Sequence, residues 1–202
     1  MGKTYGQDGR VIIYCAAQLH FNTHRSNTLQ RLRLGAGTDG RLTAIAHQTW
    51  SHSARFDNFF ENASMQTRTL YAAPHRRTTH RSVKLDLPVS DSTRAPGESV
   101  GMLALEPAMD ELAEKLGLDP IEWRLRNEPA QDPALGLPFS SRQLVACLRE
   151  GATRFGWAAR QAKPGAVTDG RWWLGLGLAA TTRSNLLMPS GCGGFDHSWR
   201  RA

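Results

Sequence analysis

The sequence predicts an α+β domain, and three observations carry that prediction. Residues 29–50 have the pattern of a β-hairpin, residues 105–116 carry one apolar helical stripe, and strand-like and helix-like segments are segregated along the chain. The expected architecture is a β-hairpin with further strands, packed against two or three amphipathic helices.

Val11–Ala17 follows Gly9, is rich in β-branched residues and reads as a short buried strand. A polar linker, residues 22–27, leads to Leu29–Leu34, where Leu32 and Leu34 share one face and Arg31 and Arg33 the other. That alternation marks a half-buried strand. Asp39-Gly40 between two apolar runs is a hairpin signal, which makes Leu42–Trp50 the return strand. Residues 54–69, with Phe56, Phe59 and Phe60, give no assignment. Leu70–Pro74 ends in a turn. Arg77–Leu87 is another strand, with Val83, Leu85 and Leu87 at period two, closed by Pro88 and followed by the loop Ser90–Gly97.

Leu105, Ala108, Met109, Leu112 and Leu116 lie on one helical stripe, with Glu106, Asp110, Glu111, Glu114 and Lys115 on the other faces. Gly117 ends this helix as a left-handed residue. Pro107 would cost about 3 kcal/mol in a helix interior but is tolerated in a first turn. Either the helix starts near Glu106, or a longer one from Ser99 is kinked there. Asp119-Pro120 caps a second helix that runs to about Asn127. A Pro-rich connection, Pro129–Pro138, leads to Ser140 as the N-cap of a third. Its stripe is Leu144, Cys147, Leu148, Ala152 and Phe155, within Ser141–Trp157. Gly165–Gly170 is a loop, and Trp172–Ala180 is expected to be a buried strand whose Gly175 and Gly177 allow close backbone approach. Ser190–Ala202 shows no periodicity.

The 202 residues suffice for one sizeable domain, and 40% hydrophobic with 21% charged residues is an ordinary globular balance. A domain of this length buries about 70% of its unfolded surface, so no staple is required. The net charge of +7 suggests an anionic partner, but the arginines from Arg25 to Arg81 and beyond Arg142 are dispersed. Dispersed arginines read as a solvated surface. Aromatics are not interleaved with them, which leaves nucleic acid a minor alternative. Cys15, Cys147 and Cys192 have neither zinc nor redox spacing, and their odd number argues against a disulfide framework. Val11–Ala17 is too short for a signal peptide or membrane span, and Gly6 stands where a myristoylation signal needs Ser or Thr. The expected compartment is the cytoplasm, with no membrane association.

No metalloprotease, P-loop or nucleophile-elbow pattern occurs. His20 and His24 have i, i+4 spacing but lie in a poor helix with no intervening Glu, so no metal site is assigned; His75 and His80 read as surface residues. The glycines Gly165, Gly170, Gly175 and Gly177 form no dinucleotide fingerprint. One site candidate remains, the loop Thr93–Ser99. It joins strand to helix and holds Arg94, a fork-shaped donor, ahead of rigid Pro96 and permissive Gly97. An arginine with helix-start amides can bind an oxyanion. The same loop also reads as an ordinary connection with a solvated arginine.

Several blocks carry a resemblance. They are Arg94-Ala95-Pro96-Gly97-Glu98, Ala108–Ala113, Leu116–Glu122, Arg124–Asn127, Arg31–Ala36 with Asp39–Leu42, Leu70-Tyr71, Gly136–Arg142 and Cys147–Trp157. In that order they resemble the molybdenum-binding subunits of the xanthine dehydrogenase / aldehyde oxidase family. The likeness spans roughly residues 10–182. It implies a partial molybdopterin-binding domain over residues 1–182 and a divergent tail over 183–202. It also implies hydroxylation of aldehydes or N-heterocycles with water as oxygen source. The molybdenum cofactor would be molybdopterin or its dinucleotide form, with an iron–sulfur subunit and an FAD subunit as partners. Arg94, with Ala95, Pro96 and Gly97 shaping the loop, is implied to contact the cofactor.

The family's general-base glutamate lies in a Gly-rich motif without a counterpart here, and Glu98 does not match it, so no catalytic residue is assigned. The family's N-terminal cofactor-holding stretches are missing as well, and Gly191–Trp199 departs from its pattern. The expectation is an internal piece of a longer subunit, inactive alone and exposing apolar surface. A split subunit completed by another polypeptide, or a non-catalytic binding module, are the alternatives. A frameshifted or truncated reading frame would produce such an ending. Sequencing the flanking DNA is expected to reveal the missing motifs in another frame, and their absence would refute that origin.

Overall fold

A tight turn at Asp39–Gly40 sets the sheet. The Gly37 amide donates to the Arg41 carbonyl at 2.9 Å and the Gly40 amide to the Gly37 carbonyl at 3.0 Å, with Gly40 at φ 79°. A side chain at Gly40 would stand 2.6 Å from Leu118 Cδ1. The computed structural model describes residues 24–182, and before them the backbone of two short paired strands, β1 (Thr4–Tyr5) and β2 (Val11–Ile12). The strand expected over Val11–Ala17 is therefore seen at its first two residues, and the rest lies outside the described residues. So do the tail 183–202, Cys15, Cys192 and His20.

β3 (Thr28–Ala36) and β4 (Leu42–Ala54) form the expected antiparallel hairpin, with a register shift at Gly35/Ala36. The segment left unassigned contains a short helix, α1 (Met65–Thr69). Residues 55–74 form a crossover long enough to bring β5 (His75–Leu85) back parallel to β4, giving the order β3-β4-β5.

α2 (Glu98–Lys115) is the longer of the two helices expected, with Pro107 in its interior. It closes as a Schellman motif: the Leu118 amide donates to the Ala113 carbonyl at 2.9 Å and the Gly117 amide to the Glu114 carbonyl at 3.0 Å. α3 (Pro120–Arg126) begins at its predicted cap, where Asp119 Oδ1 accepts from the Ile121 amide at 2.8 Å. Asn127 ties the end of α3 to the hairpin turn. Its Oδ1 accepts from the Leu42 amide at 2.8 Å, and its Nδ2 donates to the Gly40 carbonyl at 3.0 Å.

The core lies between the sheet and these helices and contains Leu42, Ile45, Leu70, Tyr71, Leu105, Met109, Ala113 and Trp123. Glu106, placed outward by the stripe, is instead buried. Its carboxylate accepts from Tyr71 Oη at 2.7 Å and from Arg124 Nε at 3.0 Å and Nη2 at 2.8 Å.

α4 (Leu144–Phe155) forms as expected, but its N-cap is Gln143 rather than Ser140, and no residue of its apolar stripe is fully buried although Leu144 packs against the core. β6 (Val167–Asp169) and β7 (Trp172–Leu174) make a small hairpin. The segment expected to be a buried strand is open, with Trp173 82% and Leu176 54% exposed. Its glycines have open space around them rather than a close neighbour.

The middle of β4 packs polar groups inward. His47 Nε2 donates to Gln30 Oε1 at 3.0 Å, and its Nδ1 accepts from Thr67 Oγ1 at 2.7 Å. His80, expected at the surface, is half-buried, and its Nε2 accepts from the Ser64 amide at 3.1 Å. Burial, then the charge of His80, lowers the pKa of His47 to about 4; burial, then Arg68, does the same for His80. Both imidazoles are neutral in the fold and titrate at an ordinary 6.5 when unfolded. Their contribution is therefore complete above pH 6.5 and lost as pH falls from there toward 4. Thermal unfolding across that window is expected to show a falling midpoint, and His47→Gln should flatten the fall. A flat wild-type profile would contradict the assignment.

Candidate functional site

The loop leading into α2 has an unusual backbone. A residue before proline normally stays extended, yet Ala95 adopts φ 54° and Gly97 φ 77°. A left-handed alanine costs about 1–2 kcal/mol, so contacts from outside the loop must hold it. Arg94 and Pro96 are exposed, Ala95 is half-buried, and Gly97 is buried at the N-cap of α2. The Arg94 side chain forms no hydrogen bond or ion pair among the described residues.

Two segments, both remote in sequence, brace the loop. The first is the stretch before β3. His24 bridges Ser90, the Asp91 amide donates to the His24 carbonyl at 3.1 Å, and His24 stacks on His52 with ring centroids 5.2 Å apart. His52 Nδ1 accepts from the Asn27 amide and its Nε2 meets Ser90 Oγ, each at 2.8 Å. This places Arg25 beside the loop, where its guanidinium donates to the carbonyls of Arg94 and Ala95.

The second segment surrounds Glu61, which is completely buried. Its Oε1 accepts from Arg25 Nη1 at 3.2 Å and from the Gly97 amide. Here α2 presents two glycines to the backbone of residues 62 and 63. A Cβ at Gly97 would stand 2.5 Å from the Asn62 carbonyl oxygen, and one at Gly101 only 1.8 Å from that of Ala63.

The sequence pattern raised the possibility that the amides at the start of α2 bind a ligand anion. The structure assigns the Gly97 amide to Glu61 instead, leaving the exposed guanidinium of Arg94 as the loop's outward donor. Half-buried Ala95 leaves its backbone open to an approaching group, whereas the space at Gly97 is taken by Asn62. An exposed guanidinium beside an open backbone suits one edge of an anion-binding surface, not an enclosing cradle.

Cavities open elsewhere. One of about 740 Å³ is lined by Asp110, Glu114, Trp157, Arg160 and Lys163, and an apolar groove of about 410 Å³ by Ile121, Leu144, Leu148 and Phe155; neither includes a loop residue. Among the described residues no group of three or more His, Cys, Asp or Glu is placed to hold a metal ion.

Sequence reasoning located the loop but missed Arg25, counted among dispersed arginines, and Glu61, in the unassigned segment. No periodicity marks either. Gly101→Ala should destabilise the chain by about 1–3 kcal/mol, the range for overpacking a closed contact. Denaturant unfolding measures this, and an unchanged midpoint would contradict the contact.

Comparison with known proteins places this architecture. Residues 4–128 match the family model described as a molybdopterin cofactor-binding domain. The chain is 51% identical over 170 residues to the aldehyde oxidoreductase molybdenum-binding subunit PaoC of Escherichia coli strain K12. That match covers 84% of this chain and 23% of the relative. It is 32% identical over 166 residues to the xanthine dehydrogenase molybdenum-binding subunit of Escherichia coli O157:H7, covering 79% and 22%. Among solved structures it is similar to the aldehyde oxidoreductase of Desulfovibrio gigas, with a TM-score of 0.59 and 25% identity over 66% of this chain and 15% of that one. The CO dehydrogenase of Oligotropha carboxidovorans shares the fold, with a TM-score of 0.62 at 17% identity over 73% and 20%. The chain thus spans less than a quarter of the length of the curated relatives it matches. By its motifs, its fold and the family match, the chain belongs to the molybdopterin cofactor-binding domain family of molybdenum-dependent oxidoreductases.

Proposed function

We propose that this chain is a portion of a molybdenum hydroxylase subunit and supplies one wall of the cofactor site through Arg94, Ala95, Pro96 and Gly97. The observation that carries this reading is a closed apolar core beside apolar faces left open. Phe155 is 62%, Trp172 63%, Trp173 82% and Leu85 41% exposed, on α4, β7 and β5. Apolar faces of this kind mark surfaces that another segment or chain covers. Sequence present in the longer relatives would cover it.

In this role Arg94 binds an anionic group of molybdopterin or its dinucleotide form, half-buried Ala95 lets the cofactor approach the backbone, and Gly97 holds the turn. The cofactor, when bound, supplies oxidation of an aldehyde or N-heterocycle with oxygen from water. No residue of this chain is assigned as the general base, so the chain by itself is inactive. Electrons would pass to an iron–sulfur subunit and an FAD subunit of the same complex. No helix among the described residues is long and apolar enough to cross a membrane. The complex is read as cytoplasmic, with co-export on a partner's signal as the alternative.

The open faces equally favour a second reading, in which a separate polypeptide completes the subunit. Purification with the products of neighbouring genes, followed by elemental analysis, separates the two. Stoichiometric molybdenum in a complex is expected for the split subunit, and its loss on Arg94→Ala for the assigned loop. No molybdenum in any preparation would leave an inactive portion, and full retention in Arg94→Ala would reject the loop as a cofactor contact.

A further inference from the structure

We propose that Glu61, clamped by Arg25, is the positioning residue of the Arg94–Gly97 loop and fixes the backbone from which Arg94 is presented. The inference deepens the reading above and rests on it where the cofactor is concerned; the geometry stands by itself.

Glu61 has no exposed surface, and its Oε2 is buried without a hydrogen-bond partner. Burying a carboxylate in this way is unfavourable unless its contacts are strong. All of its described contacts converge on the loop. One oxygen accepts from the Gly97 amide and from Arg25, and Arg25 in turn reaches the carbonyls of Arg94 and Ala95. A single cation–anion pair therefore grips three of the four residues of the Arg94–Gly97 loop, at 94, 95 and 97. Arginine suits this task because its planar fork presents several donors at once.

The loop needs such a grip, because Ala95 and Gly97 both have positive φ. The Ala95 and Gly97 carbonyls then accept from the Ser99 amide at 3.1 Å and the Gly101 amide at 2.9 Å, which starts α2. The clamp thus sets both the loop and the first turn of the helix. If the pair served only to anchor the segment around residue 61, its loss would loosen the domain generally. If it positions the loop, the loss would be local.

Peptide-resolved hydrogen exchange on the full 202-residue chain separates these cases. The comparison is between residues 93–101 and the core stretch 105–116, in wild type, Glu61→Leu, Glu61→Gln, Arg25→Met and Arg25→Lys. Glu61→Leu and Arg25→Met are expected to raise exchange over 93–101 about tenfold or more, the scale of losing hydrogen bonds to a charged group. Exchange over 105–116 should be unchanged, and trypsin should cut after Arg94 correspondingly faster. Glu61→Gln keeps an acceptor and should restore most of the protection. Arg25→Lys, whose single ammonium cannot span both carbonyls, should fall between.

Unchanged exchange over 93–101, or an equal rise in both stretches, would overturn the proposal. Where Glu61→Leu does not fold, Glu61→Gln and Arg25→Lys decide it, since a local rise is still expected in the latter. The measurement requires no cofactor. Failure to find molybdenum would therefore defeat the functional reading without touching this result.

Discussion

A guanidinium with no exposed surface organises this domain. Arg124 reaches the core from α3 and meets Glu106 of α2 with two donors, at 3.0 and 2.8 Å. A third bonds Asp110 Oδ1 at 2.7 Å and the Pro120 carbonyl at 3.0 Å. Glu106 also accepts from Tyr71 Oη, just before the crossover reaches β5, and from the Ala180 amide at 2.6 Å. Removing one member of such a buried pair costs about 3–5 kcal/mol, because the charge left behind has neither water nor partner. Burial first, and the Glu106 carboxylate next, raise the Tyr71 phenol well above its ordinary pKa, so it remains a donor. Crossover, α2, α3 and the C-terminal stretch are thereby held in one arrangement.

With the body of α2 fixed at Glu106, its N-terminus has little freedom, and there the loop is shaped. The same principle acts twice. At Glu106 a buried carboxylate joins four parts of the fold, and at Glu61 another joins the stretch before β3 to the loop. The sheet also has a polar interior, where His47 and His52 of β4 and His80 of β5 are satisfied by hydroxyls, amides and Gln30. These histidines are structural connectors.

The open faces follow from the same architecture. β5 has one sheet neighbour, and Val83, Leu85 and Leu87 along it and just beyond are each about two-fifths exposed. α4 has the expected periodicity, but only its first turn, at Leu144, packs on the core, and Phe155 at its far end is exposed. In the much longer relatives, further chain is available to cover such faces.

The sequence by itself determined the parts governed by near neighbours. Asp39-Gly40 specified the hairpin, Asp119-Pro120 the start of α3, and Gly117 the end of α2, because turn and cap chemistry operates within a few residues. The strand-to-helix connection marked the Arg94 loop, and motif likeness the family. Periodicity found α4 but could not say whether its stripe was covered. Only the tertiary structure decided that β5 runs parallel to β4, that Glu106 points inward, and that Arg25 and Glu61 meet the loop. The reason is separation along the chain. Arg25 and Glu61 lie 36 positions apart, and Arg25 lies 69 from Arg94. A lone charged residue carries no local mark of the partner that will neutralise it. Burying it is favourable only after distant segments have come together, so its place is settled by the assembled fold.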